Sequence, residues 1–228
     1  VIAAQQRLFG VLAEEAHPLA ELEDREVIVN HDDRSMRVTV RINPGPVSHF
    51  GPVTLLGLDT VNESYIRRLI PWRQGDLYDQ RKVDAFRRRL AETGLFSTIV
   101  IDRSEELDAD GQLPVTVQLI EGRQRSIGAG AKYYTSEGPA GEVFWEHRNL
   151  FGNSEDLRVT IEVGEIRQQG TVKFTLPDWK RPDQDLLADV QATRQTTEAF
   201  DELGVATSAR VRRPLSETWT GTIGGSLE

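Results

Sequence analysis

The sequence predicts an α+β region built on a β-α-α-β-β unit, followed by the antiparallel strands of a partial β-barrel. Three observations predict this. Helical and strand periodicities mix up to about residue 122 and give way to strand-and-turn patterning after it. Val83, Phe86 and Leu90 recur at helical spacing behind Asp79, a capping residue type. Beyond residue 123, about seven segments alternate apolar and polar side chains. Each is close to the ~9–11 residues with which a tilted strand crosses a bilayer.

The elements follow in order. Ile2, Leu8, Phe9 and Leu12 mark a helix over residues 1 to about 15. Strands over Glu26–Asn30 and Met36–Ile42 are joined by the turn-forming His31-Asp32-Asp33-Arg34-Ser35. Asn43-Pro44-Gly45-Pro46 then breaks the chain. His49–Leu58 reads as a strand interrupted at Gly51-Pro52. Asn62 caps a short helix over Glu63–Ile70, which Pro71 ends. Asp79 caps a second helix through Thr93, with Gly94 where left-handed backbone is favoured. Leu95–Arg103 and Leu113–Glu121 are strands joined by Asp108-Ala109-Asp110-Gly111. A three-stranded sheet with both helices on one face would bury Ile99, Ile101, Val115 and Val117 against Phe86 and Leu90.

The barrel-type strands are Gln124–Tyr134, Glu142–His147, Leu157–Val163, Thr171–Leu176, Asp185–Arg194, Val205–Arg212 and Thr218–Gly225. Trp145, Trp179 and Trp219 fall near strand ends, where interfacial aromatic girdles belong. In a barrel, Ile127, Ala129, Leu157, Val159, Ile161 and Val163 would form the outward face.

Composition narrows the function classes. The net charge of −9 argues against a nucleic-acid binder that relies on bulk positive charge. The absence of cysteine excludes disulfides, thiolate zinc sites and a cysteine nucleophile. The longest apolar run, Leu8–Ala13, is far short of the ~20 residues a membrane helix needs. A mean hydropathy of −0.42 fits a soluble protein or a barrel equally. The chain starts mid-pattern at Val1 and carries its single methionine at Met36, so it reads as a piece of something longer.

Catalytic signatures are missing. His17, His31, His49 and His147 lie in unrelated segments without metal-ligand spacing. His31-Asp32-Asp33 suits a hairpin turn better than a cation site. Asp108–Gly111 is half a calcium loop. Gly128-Ala129-Gly130 lacks the third glycine of a dinucleotide fingerprint, Tyr133 standing in its place, and no helix follows. No G-x-S-x-G elbow occurs. The expectation is no enzyme, no metal and no cofactor.

Residues 47–122 resemble a POTRA (polypeptide-transport-associated) domain. The matching elements are Pro44-Gly45-Pro46, Phe50-Gly51, Gly57, Gly75-Asp76-Leu77-Tyr78 and Gly94-Leu95-Phe96 running into a strand. Residues 1–46 resemble the C-terminal part of a preceding POTRA domain. Residues 123–228 resemble the first strands of an outer-membrane β-barrel, with Arg148-Asn149-Leu150-Phe151-Gly152 matching the turn between its second and third strands. In order and spacing, the chain resembles the BamA/TamA-type outer-membrane assembly family, most closely its TamA branch. The resemblance implies an insertase in the outer membrane of a Gram-negative cell, with POTRA domains in the periplasm. Its implied partners are unfolded outer-membrane or autotransporter clients, a TamB-like periplasmic-spanning protein and outer-membrane lipid, with no nucleic acid. A two-partner-secretion exporter of a single client and a soluble POTRA-bearing adaptor stay open as alternatives.

Three surfaces are candidate sites. The POTRA sheet edge at Phe96, Thr98 and Val100 could accept an extended client strand, or could be simply solvated. The first barrel strand, at Ile127, Gly128, Ala129, Gly130 and Ala131, has little side-chain bulk. Glycine in a strand costs roughly 0.5–1 kcal/mol relative to alanine, so this strand would form a weak seam, unless its glycines only relieve crowding. Asn149, Leu150, Phe151 and Gly152 would sit at the POTRA–barrel junction, Leu150 and Phe151 packing to fix its angle. An ordinary tight turn would use the same residues. The basic run Arg81-Lys82 and Arg87-Arg88-Arg89 reads as a solvated face or a contact with acidic headgroups, with Arg89 pointing away from the core.

Overall fold

The computed structural model describes residues 2–30, 34–197, 201–216 and 218–228. The turn expected at His31-Asp32-Asp33 lies outside the described residues. The chain divides into two compact units. One takes in the residues up to Leu58 together with Ile66–Ile120, the other Asp59–Tyr65 with Glu121–Glu228.

The first unit begins with α1 (Ile2–Glu14) and a two-stranded antiparallel sheet of β1 (Glu21–Asn30) and β2 (Ser35–Asn43). Strand β1 starts five residues before the apolar run suggests. Its first half, Glu-Leu-Glu-Asp-Arg, carries no alternation, and pairing with β2 overrides that weak local signal. A three-stranded sheet follows, made of β3 (His49–Leu56), β4 (Phe96–Arg103) and β5 (Gln112–Glu121). Strand β5 lies in the middle, so β3 and β4 are its edges. The parallel β3–β5 register slips between Phe50 and Val53, at the Gly51-Pro52 interruption. A proline with no N–H to give is tolerated at such a break on an edge strand.

Helices α2 (Glu63–Leu69) and α3 (Gln80–Glu92) complete the unit's fold. The Asp79 side chain accepts from the Arg81 amide at 2.9 Å and caps α3. Val83, Phe86 and Leu90 are its buried stripe, and Gly94 follows with φ +65°. Phe86 and Leu90 are fully buried, as are Phe50, Leu113, Val115 and Val117 of the sheet. Trp72 ties the aromatic part together, stacking on Phe50 at 4.5 Å and meeting Phe86 edge-on at 5.5 Å. Ile101 is buried as expected, while Ile99 is only half-buried on its edge strand. Arg89 does not point away. It lies half-buried, and Arg87 and Arg88 are the exposed pair, because a residue three after Phe86 returns to the buried face. Gly57 has φ +84°, and a Cβ there would overlap the Leu119 carbonyl oxygen, so only glycine fits the crossing of β3 past β5.

The second unit is built on one antiparallel sheet of seven strands: β6 (Arg125–Tyr134), β7 (Gly138–His147), β8 (Asp156–Gly164), β9 (Arg167–Leu176), β10 (Asp185–Thr196), β11 (Asp201–Pro214) and β12 (Thr220–Leu227). Each strand pairs with its neighbour in sequence, leaving β6 and β12 as edges. Strand β7 begins earlier than its alternation indicates, since Pro139 is accommodated opposite Tyr133 near the strand's first residue.

The register sorts side chains into two faces. On one lie Ile127, Trp145, Val159, Val172 and Val190 as successive cross-strand partners, with Ala129, Val143, Ile161, Gly170 and Ala192 in the next row. This face is apolar and uncovered: Ile127 is 83% and Ile161 51% exposed. The other face is ionic. Lys132 donates to Glu142 and, at 2.9 Å, to Glu162. Ser126 donates to Glu146 at 2.9 Å, and Arg210 and Arg212 pair with Asp189 and Asp185. A water-soluble sandwich would hide the apolar rows under a second layer, and the described residues of this unit form a single sheet. Apolar-out and polar-in is the pattern of a barrel wall facing lipid.

Candidate functional site

The second unit gathers its buried polar groups at the start of the sheet. The Glu121 carboxylate, at the end of β5, accepts from three successive backbone amides: Asp59 at 2.8 Å, Thr60 at 3.0 Å and Val61 at 2.9 Å. The Thr60 hydroxyl and the Gln124 amide also donate to it. Burial pushes the Glu121 carboxyl up, but the Thr60 hydroxyl and the amides of Asp59, Val61 and Thr60 outweigh it and hold the group below its ordinary range. Asn149, almost fully buried, reaches the same segment by donating to the Thr60 carbonyl at 3.2 Å.

The turn between β7 and β8 is organised by a second carboxylate. Glu155 is 2% exposed. It accepts from the Phe151 amide at 3.1 Å, the Asn153 amide at 2.9 Å and the Asn153 side chain at 3.0 Å. Burial raises its pKa, but these donors together lower it by more and leave it below the ordinary carboxylate range. Asn62 closes the arrangement. Its backbone amide donates to the Gly152 carbonyl at 2.8 Å and its side chain to the Phe151 carbonyl at 3.1 Å. Gly152 has φ +96°, and a Cβ there would press into the Asn62 amide. Of the four candidate junction residues, Asn149 and Gly152 are buried and Leu150 half-buried, while the Phe151 ring is 68% exposed. Backbone carbonyls, rather than the Phe151 ring, carry the contact with Asn62. Glu121, Thr60 and Glu155 are not candidates from the sequence. The one signal that points to Glu155 is its position two after Asn153, a side chain within local hydrogen-bonding reach.

The edge strand β6 holds the seam candidates. Ile127, Ala129 and Ala131 are exposed on the apolar face. Gly128 lies beneath the Phe144 ring, which would overlap any Cβ there, and Arg158 stands over that ring at 4.1 Å. Gly130 has open space around it. With β7 on one side only, alternate N–H and C=O groups of β6 have no sheet partner. In the first unit, Phe96, Thr98 and Val100 sit along β4, also an edge; Thr98 and Val100 are exposed and Phe96 is half-buried. Among the described residues, no group of three or more histidine, aspartate or glutamate side chains could hold a metal ion.

Two family models match successive parts of the chain. Residues 48–122 match the POTRA family described as surface antigen variable number repeat, and residues 149–228 match the Omp85 superfamily domain. The chain joins a POTRA domain to part of an Omp85 superfamily domain. The chain is 26% identical over 170 residues to the outer membrane protein assembly factor BamA of Neorickettsia risticii (strain Illinois), covering 73% of this chain and 22% of that protein. It is 20% identical over 150 residues to BamA of Buchnera aphidicola subsp. Acyrthosiphon pisum (strain APS), covering 65% of this chain and 24% of that protein. The Omp85-type chain therefore spans about a quarter of the length of these curated relatives. Its fold resembles the crystal structure of BamA from Haemophilus ducreyi lacking POTRA domains 1–3, with a TM-score of 0.85 at 16% identity, covering 97% of this chain and 42% of that one. CdiB from Escherichia coli shares the fold more loosely, with a TM-score of 0.52 at 10% identity, covering 92% and 39%. The protein belongs to the outer membrane of a Gram-negative cell, with its POTRA domain in the periplasm. Its curated relatives are assembly factors rather than enzymes.

Proposed function

We propose that the parent protein inserts outer-membrane β-proteins. The POTRA domain gathers unfolded clients along the open edge β4, since the Gly75–Tyr78 segment already pairs with the start of β3, and β6 templates their strands. The observation that supports this best is β6 itself: an edge strand of a one-layer sheet, apolar on its exposed face and sparse in side chains on the other. An incoming strand gains main-chain hydrogen bonds there with little demand on its sequence. No nucleotide is needed. Each unsatisfied backbone group in hydrocarbon costs several kcal/mol, so a template that keeps strands paired lowers a large barrier. Burial of apolar strand faces in lipid supplies the net free energy.

The test places a photo-crosslinking residue at Ala131 of the full-length protein in cells, with Val159 in the sheet interior as comparison. Many different outer-membrane clients should cross-link at Ala131 and few at Val159. Equal yields at both positions would overturn the templating role. Adducts with one client alone would favour a dedicated two-partner-secretion exporter. Resemblance to the TamA branch adds a TamB-like periplasmic-spanning partner, which should co-purify with the full-length protein.

A further inference from the structure

The second unit contains an open cavity of about 760 Å³ where β6 begins. Asp59, Glu121, Arg123, Arg125, His147 and Phe151 are in its wall. His147 is 8% exposed, its ring stacks on Trp145 at 6.0 Å, and its Nδ1 is buried without a hydrogen-bond partner. Arg123 and Arg125 line the same wall, and among the described residues neither has a carboxylate partner. By contrast, Arg158, Arg210 and Arg212 on the ionic face are all paired. The charge of Glu121 is already engaged by three backbone amides, which leaves Asp59 as the free anion of the wall.

The cavity thus offers two guanidinium groups without a carboxylate partner and one carboxylate, beside the His147 ring. That set suits a zwitterion carrying a phosphate and an ammonium. Arg125 and His147 are direct cross-strand partners, and Ile127 with Trp145 is the next pair along the same face. The cationic wall therefore continues directly into the apolar rows. We infer that this cavity binds the headgroup of a zwitterionic phospholipid, its phosphate on Arg123 and Arg125 and its ammonium on Asp59. Guanidinium forks match phosphate oxygens two at a time. The acyl chains run over Ile127 and Trp145. The inference rests on the lipid-facing reading of the apolar rows.

The test is native mass spectrometry of the full-length protein in detergent, titrated with dihexanoyl phosphatidylethanolamine. Saturable retention is expected, and Arg123→Gln with Arg125→Gln should weaken it about tenfold or more, the effect of losing one charge-assisted hydrogen bond. Arg125→Lys should keep only part of the affinity, because the charge survives without the two-pronged fork, and His147→Phe, which preserves the stack on Trp145, should leave it unchanged. Binding unchanged in the double glutamine variant overturns the site. Equal binding of glycerophosphoethanolamine overturns the lipid in favour of a free phosphate ester, and tighter binding of dihexanoyl phosphatidylglycerol overturns the ammonium contact. Failure of the apolar face to enter bilayers would appear instead in vesicle folding, a separate readout.

Discussion

Replacing Glu121 with alanine should release the segment around Thr60 without unfolding the sheet that Glu121 terminates. The carboxylate holds three backbone amides at 2.8 to 3.0 Å, together with the Thr60 hydroxyl and the Gln124 side chain. A hydrogen bond to a charged acceptor contributes about 1.5–3 kcal/mol when well protected, and a neutral one about 0.5–1.5. This site is close to solvent, and water replaces part of what is lost. The lower figure for each of the three amides gives a local loss of about 2–4 kcal/mol. That corresponds to roughly 30-fold to several-hundred-fold faster hydrogen exchange at Thr60 and Val61. Exchange measured by mass spectrometry on the full-length protein should show this, with the interior of β5 unchanged. The acid response gives a second check. The folded carboxyl titrates below its ordinary value of 4.5, so its stabilisation is complete above that pH and is lost as pH falls through the lower folded value. Protection at Thr60 and Val61, taken relative to the intrinsic exchange rate at each pH, should fall in acid in the wild type and show no such fall in Glu121→Ala. Unchanged exchange at these amides in the variant would refute the latch, as would equal acceleration throughout β5.

Other outcomes follow from the same structure. Ile161→Arg puts a charge on the lipid face and should cost about 2–4 kcal/mol in urea-titrated folding into vesicles, whereas Thr160→Arg on the ionic face should cost little. A greater cost for Thr160→Arg would show that the faces are assigned the wrong way round, and equal costs would refute a lipid-facing side. Gly57→Ala combines a left-handed backbone, worth roughly 1–2 kcal/mol against alanine, with overlap on the Leu119 carbonyl, so thermal unfolding of the POTRA domain should shift down by several degrees. Phe86→Ala empties the centre of that domain's core and should cost about 3–5 kcal/mol in denaturant unfolding.

Alternation and caps make much of this architecture legible. Leu157, Val159, Ile161 and Val163 repeat every second residue along β8, and all seven strands of the large sheet appear in the expected order. Helix α3 is readable because Asp79, the Val83–Phe86–Leu90 stripe and Gly94 agree on one element. Strand β1 is readable only in its apolar half, since Glu21 to Arg25 owe their extended form to β2. The seam glycines, the β4 edge and the Asn149–Gly152 turn stand out in the sequence as candidate segments. The carboxylate latch does not, because Glu121 and Thr60 are 61 residues apart and neither belongs to a motif. His147 reads as an isolated histidine until the register sets it opposite Arg125.

The large sheet pairs each strand only with its predecessor and successor along the chain. Every pairing therefore closes a short loop, and the entropic cost of closure grows only slowly with loop length. A wall of this kind can be laid down hairpin by hairpin, each completed strand presenting a fresh rim for the next. Its own construction thus rehearses the addition of a foreign strand.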